Sequence, residues 1–139
     1  MTFRPIYLDT SAIVKLIVHE PETPQLFAAL EQWPDRLSSA LARVEVHRAL
    51  RRSGRPKSDH TRADAVLDSL VLIHVAELVL RLAASFRNPQ VRSLDAIHLA
   101  TALSIGDDPE GLITYDARLA RIATLEGVAI LHPGLDRLK

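Results

Sequence analysis

The chain is predicted to fold as a single α/β domain, residues 1–139, with a mainly parallel central sheet flanked by helices on both faces. Three observations carry that prediction. Short apolar runs alternate with amphipathic stretches from one end of the sequence to the other, an order that builds parallel strands joined by right-handed helical crossovers. A length of 139 residues matches one domain, and a chain of about 150 residues buries roughly 68–70% of its unfolded surface, enough for a conventional core. No internal repeat, low-complexity segment or linker interrupts the pattern.

Each element carries its own local signal. Ile6-Tyr7-Leu8 is β-prone and ends at Asp9, after which Thr10-Ser11 opens a helix through Ala12 to Val18. Gln25 to Gln32 reads as a short amphipathic helix stopped by Trp33-Pro34. Arg36-Leu37-Ser38-Ser39 is a second strand, and Ala40 to Arg52 a helix with Gly54 as its C-terminal cap. Lys57 to Leu70 is helical, Val71 to Val75 a buried strand, and Ala76 to Phe86 a helix. Ser93 caps a helix over Leu94 to Ile105, and Gly106 to Gly111 form a loop. Leu112-Ile113-Thr114 is a strand, Asp116 to Glu126 a helix closed by Gly127, and Val128-Ala129-Ile130 the last strand.

Composition narrows the function classes. Lys plus Arg and Asp plus Glu are 17 each, so no global field draws the protein to nucleic acid or a membrane surface, and polyanion binding must be local. The sequence has no cysteine, which excludes disulfides, thiolate metal sites and a cysteine nucleophile and fits a reducing, cytoplasmic setting. The first residues do not read as a signal peptide, because Arg4 and Pro5 come before any apolar run can grow. No apolar stretch approaches the roughly 18 residues of a membrane span.

Four acids stand where a carboxylate is uncomfortable. Asp9 and Asp116 follow short strands and precede helices, which in a parallel sheet puts both at the carboxyl edge, where such sheets bind ligands; a helix N-cap would account for either one alone. Glu45 interrupts an apolar helix face between Leu41, Ala42 and Ala49, with a weak i+3 pairing to Arg48 as its ordinary explanation. Asp95 begins a helix, where the dipole favours an acid, yet Leu99 and Ala102 place it on an inward stripe. Gathered in one pocket, such acids oppose folding unless a cation lies between them, since two carboxylates about 4 Å apart repel by roughly 4 kcal/mol at an effective dielectric of about 20. Hard divalent cations suit an all-oxygen set.

The segments around these acids are Tyr-Leu-Asp9-Thr-Ser-Ala-Ile-Val, Arg-Val-Glu45-Val-His-Arg-Ala-Leu, Ser-Leu-Asp95-Ala-Ile-His-Leu-Ala and Leu-Ile-Thr-Tyr-Asp116-Ala-Arg-Leu-Ala. In this order and spacing the chain resembles PIN-domain ribonucleases, in particular the VapC-like toxins of toxin–antitoxin pairs. The resemblance implies that residues 1–139 form a single PIN-like domain. It implies an endoribonuclease whose Asp9, Glu45, Asp95 and Asp116 form the catalytic, metal-binding set for Mg²⁺, with Mn²⁺ an alternative, leaving 5′-phosphate and 3′-hydroxyl ends. Asp9 and Asp95 are assigned as the main ligands, and Glu45 and Asp116 as further ligands or water positioners. It also implies an RNA substrate, a cognate antitoxin that covers the groove, a homodimer and a hetero-oligomer with the antitoxin. Ser11 and Thr114 read as hydroxyls that hold the carboxylates or a substrate phosphate, or as ordinary turn hydroxyls.

Between Arg43 and Lys57 lie six basic residues and one acid. Arg48, Arg51, Arg52 and Arg55 follow i, i+3, i+4, i+7 spacing, which suggests a phosphate-tracking stripe beside Glu45; a solvated helix face is the alternative. Asp95-x-x-His98 could ligate a metal, but a packed or hydrogen-bonded His98 is the expectation. His47 points about 200° away from Glu45 along the helix. Trp33 is expected to pack in the core. A receiver-type phosphoryl-transfer domain also collects acids at a sheet edge, but it needs adjacent acids after the first strand, where this chain has Thr10-Ser11. A catalytically idle module with the same fold is the remaining alternative, and the four intact acids count against it.

Overall fold

The computed structural model describes residues 4–105 and 109–138. Within them, strands β1 (Ile6–Leu8), β2 (Arg36–Ser39), β3 (Val71–Ile73), β4 (Leu112–Ile113) and β5 (Ile130–Leu131) alternate with helices α1 (Thr10–Ile17), α2 (Thr23–Leu30), α3 (Ala42–Arg52), α4 (Lys57–Asp68), α5 (Glu77–Ser85), α6 (Ser93–Ser104) and α7 (Ala117–Leu125). The strands form one sheet in the order β3-β2-β1-β4-β5, with parallel pairing throughout. The chain therefore builds outward from β1 through β2 to β3, then returns to the other side of β1 to lay down β4 and β5.

Side chains of β1 alternate between two cores, as the pleat requires. Ile6 and Leu8 pack with Ile13, Leu26, Val46, Leu50 and Leu67 from α1 to α4. Tyr7 points the other way, toward Leu99 of α6 and Leu119 and Ile122 of α7. Each fully buried aliphatic side chain contributes about 1.5–3 kcal/mol relative to exposure, so both layers are firmly attached to the strands that carry the site. Trp33 is core, as expected, at 7% exposure, with its ring N–H donating to Glu110.

Glycine closes two of the helices. After α3, Gly54 takes φ +63°, its N–H bonds the Arg51 carbonyl, and the Arg55 N–H bonds the Leu50 carbonyl. This Schellman closure turns the chain sharply off the helix axis. After α7, Gly127 at φ +82° makes the same pair, with the Val128 N–H bound to Ala123. Val128 is thereby spent on closing the helix, so the last strand is Ile130–Leu131 rather than Val128 to Ile130.

Three other expectations are corrected. The strand at Val71 is an edge strand, not a buried one: it pairs only with β2, and Val71 is 55% exposed. Ser93 is the first residue of α6, not its cap; Arg92 holds the cap position and no side chain bonds there, which puts Asp95 in the first turn. Pro24 starts α2 earlier than expected, because a proline is well suited to the first helical turn. The loop expected at Gly106 to Gly111 lies partly outside the described residues. Among the described residues no helix is long and apolar enough to cross a membrane.

Candidate active site

The return of the chain from β3 to β4 creates a crevice at the carboxyl ends of the adjacent strands β1 and β4, the position where open parallel sheets bind ligands. Asp9 follows β1 and caps α1, its Oδ1 accepting from the Ala12 N–H at 2.9 Å and from the Ser11 hydroxyl at 2.6 Å. Its Oδ2 accepts from the Thr114 hydroxyl, just beyond β4, at 2.5 Å. The same hydroxyls take backbone donors in turn: Ser11 accepts from the Tyr115 N–H and Thr114 from the Asp116 N–H. Asp9 is thus both an N-cap and a buried carboxylate tied across the sheet. Burial raises its pKa above the ordinary aspartate value, against the pull of the Ser11, Thr114 and Ala12 hydrogen bonds.

Glu45 enters from α3. Its Oε1 accepts from the Thr10 hydroxyl at 2.8 Å and pairs with His98 Nε2 at 2.6 Å; Arg48, the partner suggested by spacing, is not involved. An ionised carboxylate only accepts, so Nε2 carries the proton and Nδ1 faces the Tyr7 hydroxyl at 2.8 Å. Burial opposes the charge on Glu45, but His98, Thr10 and Arg52 outweigh it and hold its pKa below the ordinary glutamate value. Burial likewise opposes the charge on His98, and Glu45 reverses that, so the His98 pKa is raised. As expected, His98 is a hydrogen-bonded helix histidine.

Asp95 and Asp116 are less constrained. Asp116 caps α7, accepting from the Arg118 and Leu119 N–H groups. Asp95, in the first turn of α6, makes no hydrogen bond or ion pair among the described residues. Burial raises its pKa, and the charges of Asp116 and Asp9 raise it further. All four acids line one open cavity of about 450 Å³, together with Ser11, Lys15, Arg52, His98 and Tyr115.

This donor set fits a hard divalent cation: the ligands on offer are carboxylate oxygens, and burial with the charges of Asp116 and Asp9 outweighs His98 and Arg118 in raising the Asp95 pKa. Among the described residues no three His, Asp or Glu side chains are drawn together closely enough to hold a metal ion as they stand. Of the two basic side chains that line the cavity, Arg52 acts on Glu45 and Lys15 is turned to other acids. Its Nζ is held by Glu20 and Glu22 at 2.9 Å each and lies 4.6 Å over the Tyr115 ring.

The arginines divide. Arg52 lines the acid cavity, and Arg48 joins it in a smaller neighbouring cavity. Arg51 and Arg55 face a different hollow with His47, Lys57 and His60, and Arg55 pairs with Asp59. The four-arginine stripe is broken twice: the Gly54 turn takes Arg55 off the helix, and Arg51, still within α3, lines the other hollow. Sequence reasoning did not place Lys15, Tyr7 or Thr10 at the site. For Lys15 the signal was present, as a lone cation inside the apolar run Ala12 to Val18.

The chain belongs to the PIN-domain family, whose model matches residues 6–125. Ribonuclease VapC46 of Mycobacterium tuberculosis is 46% identical over 128 residues, covering 92% of this chain and 97% of that protein. The fold is similar to a chain of a toxin–antitoxin complex from Klebsiella pneumoniae, with TM-score 0.70 and 22% identity over 92% of this chain and 97% of that one. It is also similar to VapC20 of Mycobacterium tuberculosis, a toxin that cleaves the sarcin–ricin loop, with TM-score 0.72 and 16% identity over 92% of this chain and 99% of that one.

Proposed function

We propose that this protein is a metal-dependent endoribonuclease toxin that hydrolyses RNA phosphodiester bonds at the four-acid cavity and is neutralised by a cognate antitoxin. The observation that carries the reading is the convergence of Asp9, Glu45, Asp95 and Asp116, from four separate segments, on one cavity at the point where the strand order reverses. Family membership and the ribonuclease named among its relatives support the activity. The toxin–antitoxin complex of like fold supports the partner.

Asp9 and Asp95 would be the main ligands of Mg²⁺ or Mn²⁺, with Asp116 and Glu45 completing the set or orienting water. Such an ion, when bound, supplies an activated water and offsets charge on the phosphorane-like transition state. Thr114 and Ser11 hold Asp9 in place. His98 and Thr10 hold Glu45 by the same logic, both through Oε1, so that Oε2 is the oxygen left to serve the cavity. Arg52 and Arg48 lie where an RNA phosphate would enter; Arg51 and Arg55 would meet a strand only farther along the surface. A homodimer and a hetero-oligomer with the antitoxin are part of this reading, as is a cytoplasmic setting, which the lack of cysteine fits.

The test is cleavage of total cellular RNA and of tRNA by the purified, antitoxin-free protein in Mg²⁺, in Mn²⁺ and in EDTA, beside the Asp95→Asn variant. Discrete cleavage that needs both metal and Asp95 is expected. A folded protein that cuts nothing in any of these conditions would sink the ribonuclease reading.

A further inference from the structure

Beside the acid cavity lies a second, smaller one of about 220 Å³, lined by Thr10, Val44, Glu45, Arg48, Arg52 and Leu94. Thr10, Glu45 and Arg52 line both cavities, so the two are contiguous and a chain passing the acids reaches this one next. Its walls are unusual for a water-facing surface. Val44 from α3 is 61% exposed and Leu94 from α6 is 48% exposed, although nothing in either helix requires an apolar residue on that face. Exposed apolar side chains grouped within a polar rim mark binding surfaces. Val44, Arg48 and Arg52 succeed one another at i, i+4 and i+8 along one face of α3 and line the same cavity. Among the described residues neither arginine makes a hydrogen bond or an ion pair.

We propose that this cavity is a subsite for one unstacked RNA base, adjacent to the phosphate presented to the acids. The inference rests on the ribonuclease reading and adds to it the place where base preference arises. The volume is below the about 300–1,000 Å³ of pockets that enclose drug-sized ligands, which matches a single ring system and not a whole nucleotide. Protein readers of single-stranded RNA splay bases out and stack them on aromatic rings or guanidinium planes. No aromatic side chain lines this cavity, and Arg48 with the Val44 and Leu94 side chains supplies the flat and apolar surfaces instead. Arg52, shared with the acid cavity, is placed to meet the linking phosphate.

The experiment is a chemical-shift titration of the ¹⁵N-labelled protein in Mg²⁺ with 5′-AMP, 5′-GMP, 5′-CMP and 5′-UMP, against ribose 5-phosphate and N-acetyl-leucinamide. At least one nucleotide should bind about tenfold more tightly than ribose 5-phosphate, in keeping with the measured weight of base stacking, and should shift the Val44 and Leu94 amides. In a Val44→Ser/Leu94→Ser variant, whose changes are at exposed positions, that advantage should fall below about threefold while ribose 5-phosphate binding is unchanged. Equal binding of ribose 5-phosphate and every nucleotide, an advantage that survives the double substitution, or saturation of these residues by N-acetyl-leucinamide alone would each overturn the subsite. RNA cleavage is scored separately: nucleotide binding at Val44 and Leu94 by a protein that cuts no RNA would keep the subsite and refute the nuclease.

Discussion

Thr114→Val removes one hydroxyl from a completely buried position and leaves the shape of the side chain almost unchanged. Two close interactions go with it, the donor to Asp9 Oδ2 at 2.5 Å and the acceptor for the Asp116 N–H at 3.0 Å, and a long contact to the Ser11 hydroxyl at 3.5 Å. A hydrogen bond to a charged group contributes about 1.5–3 kcal/mol, and a buried group left unsatisfied costs about 1–3 kcal/mol. The Asp116 N–H is near the cavity and can turn to water, so the expected total is about 2–4 kcal/mol at pH 8, or a fall in Tm of about 6–12 °C for a domain of this size. The loss depends on pH with a definite sign. Thr114 favours the ionised form of Asp9, whose folded pKa burial has already raised above 3.8. Without Thr114 the folded pKa of Asp9 rises further, so the deficit is full above the variant's folded pKa and shrinks as the pH falls from there through the wild-type folded pKa, the unfolded state being common to both proteins. Urea unfolding in EDTA, followed from pH 8 downward at constant m-value, measures this, with Thr114→Ser restoring most of the deficit. A Val variant with the wild-type urea midpoint, or a deficit that stays constant as Asp9 protonates, would refute the account of how Asp9 is held.

Other substitutions probe the remaining parts of the site. Asp95→Asn should abolish metal-dependent cleavage and leave the metal-free protein as stable or more so at pH 8; because burial, Asp116 and Asp9 raise the Asp95 pKa, the penalty of its ionised form disappears once the pH drops below the unfolded value, and the gain should vanish there. His98→Leu takes the ring partner from the buried Tyr7 hydroxyl, leaving it Ser38 and Thr101, and removes a donor from Glu45, a loss of about 1–3 kcal/mol by chemical denaturation, and His98→Gln, which keeps an N–H, should recover part of it. Lys15→Met leaves Glu22 facing Glu20 without their shared cation; since Glu20 is 42% exposed, the loss should be about 1–3 kcal/mol, below the 3–5 kcal/mol typical of breaking a fully buried pair, and calorimetry reads it directly.

The alternation of strand and helix was legible because each element carries its own period and its own stop signal; β2 at Arg36–Ser39 falls where Trp33-Pro34 and the hydrophobic pattern put it. The position of the four acids was legible for a different reason: carboxylates at strand ends and on apolar stripes contradict their local surroundings, and such contradictions mark sites. The hidden parts depend on partners distant in sequence. Nothing near Glu45 points to His98, which lies 53 residues on. The spacing of Arg48, Arg51, Arg52 and Arg55 ran past a glycine already recognised as a helix cap, which removes Arg55 because a periodicity argument ends where the helix does; Arg51 lies before the cap and lines a different hollow all the same. Val71 to Val75 is apolar enough for a central strand, and only the strand order reveals it as an edge.

Asp9 is fastened by Thr114, 105 residues farther along the chain. Synthesis delivers Asp9, Glu45 and Asp95 first and the fastening strand β4 much later, so a chain still growing on the ribosome carries three of the four acids and no assembled cavity. For an enzyme whose substrate is RNA, the ribosome's own material, this order of delivery puts the fastening of Asp9 after Glu45 and Asp95 have been laid down. The cavity is complete only when β4 pairs beside β1.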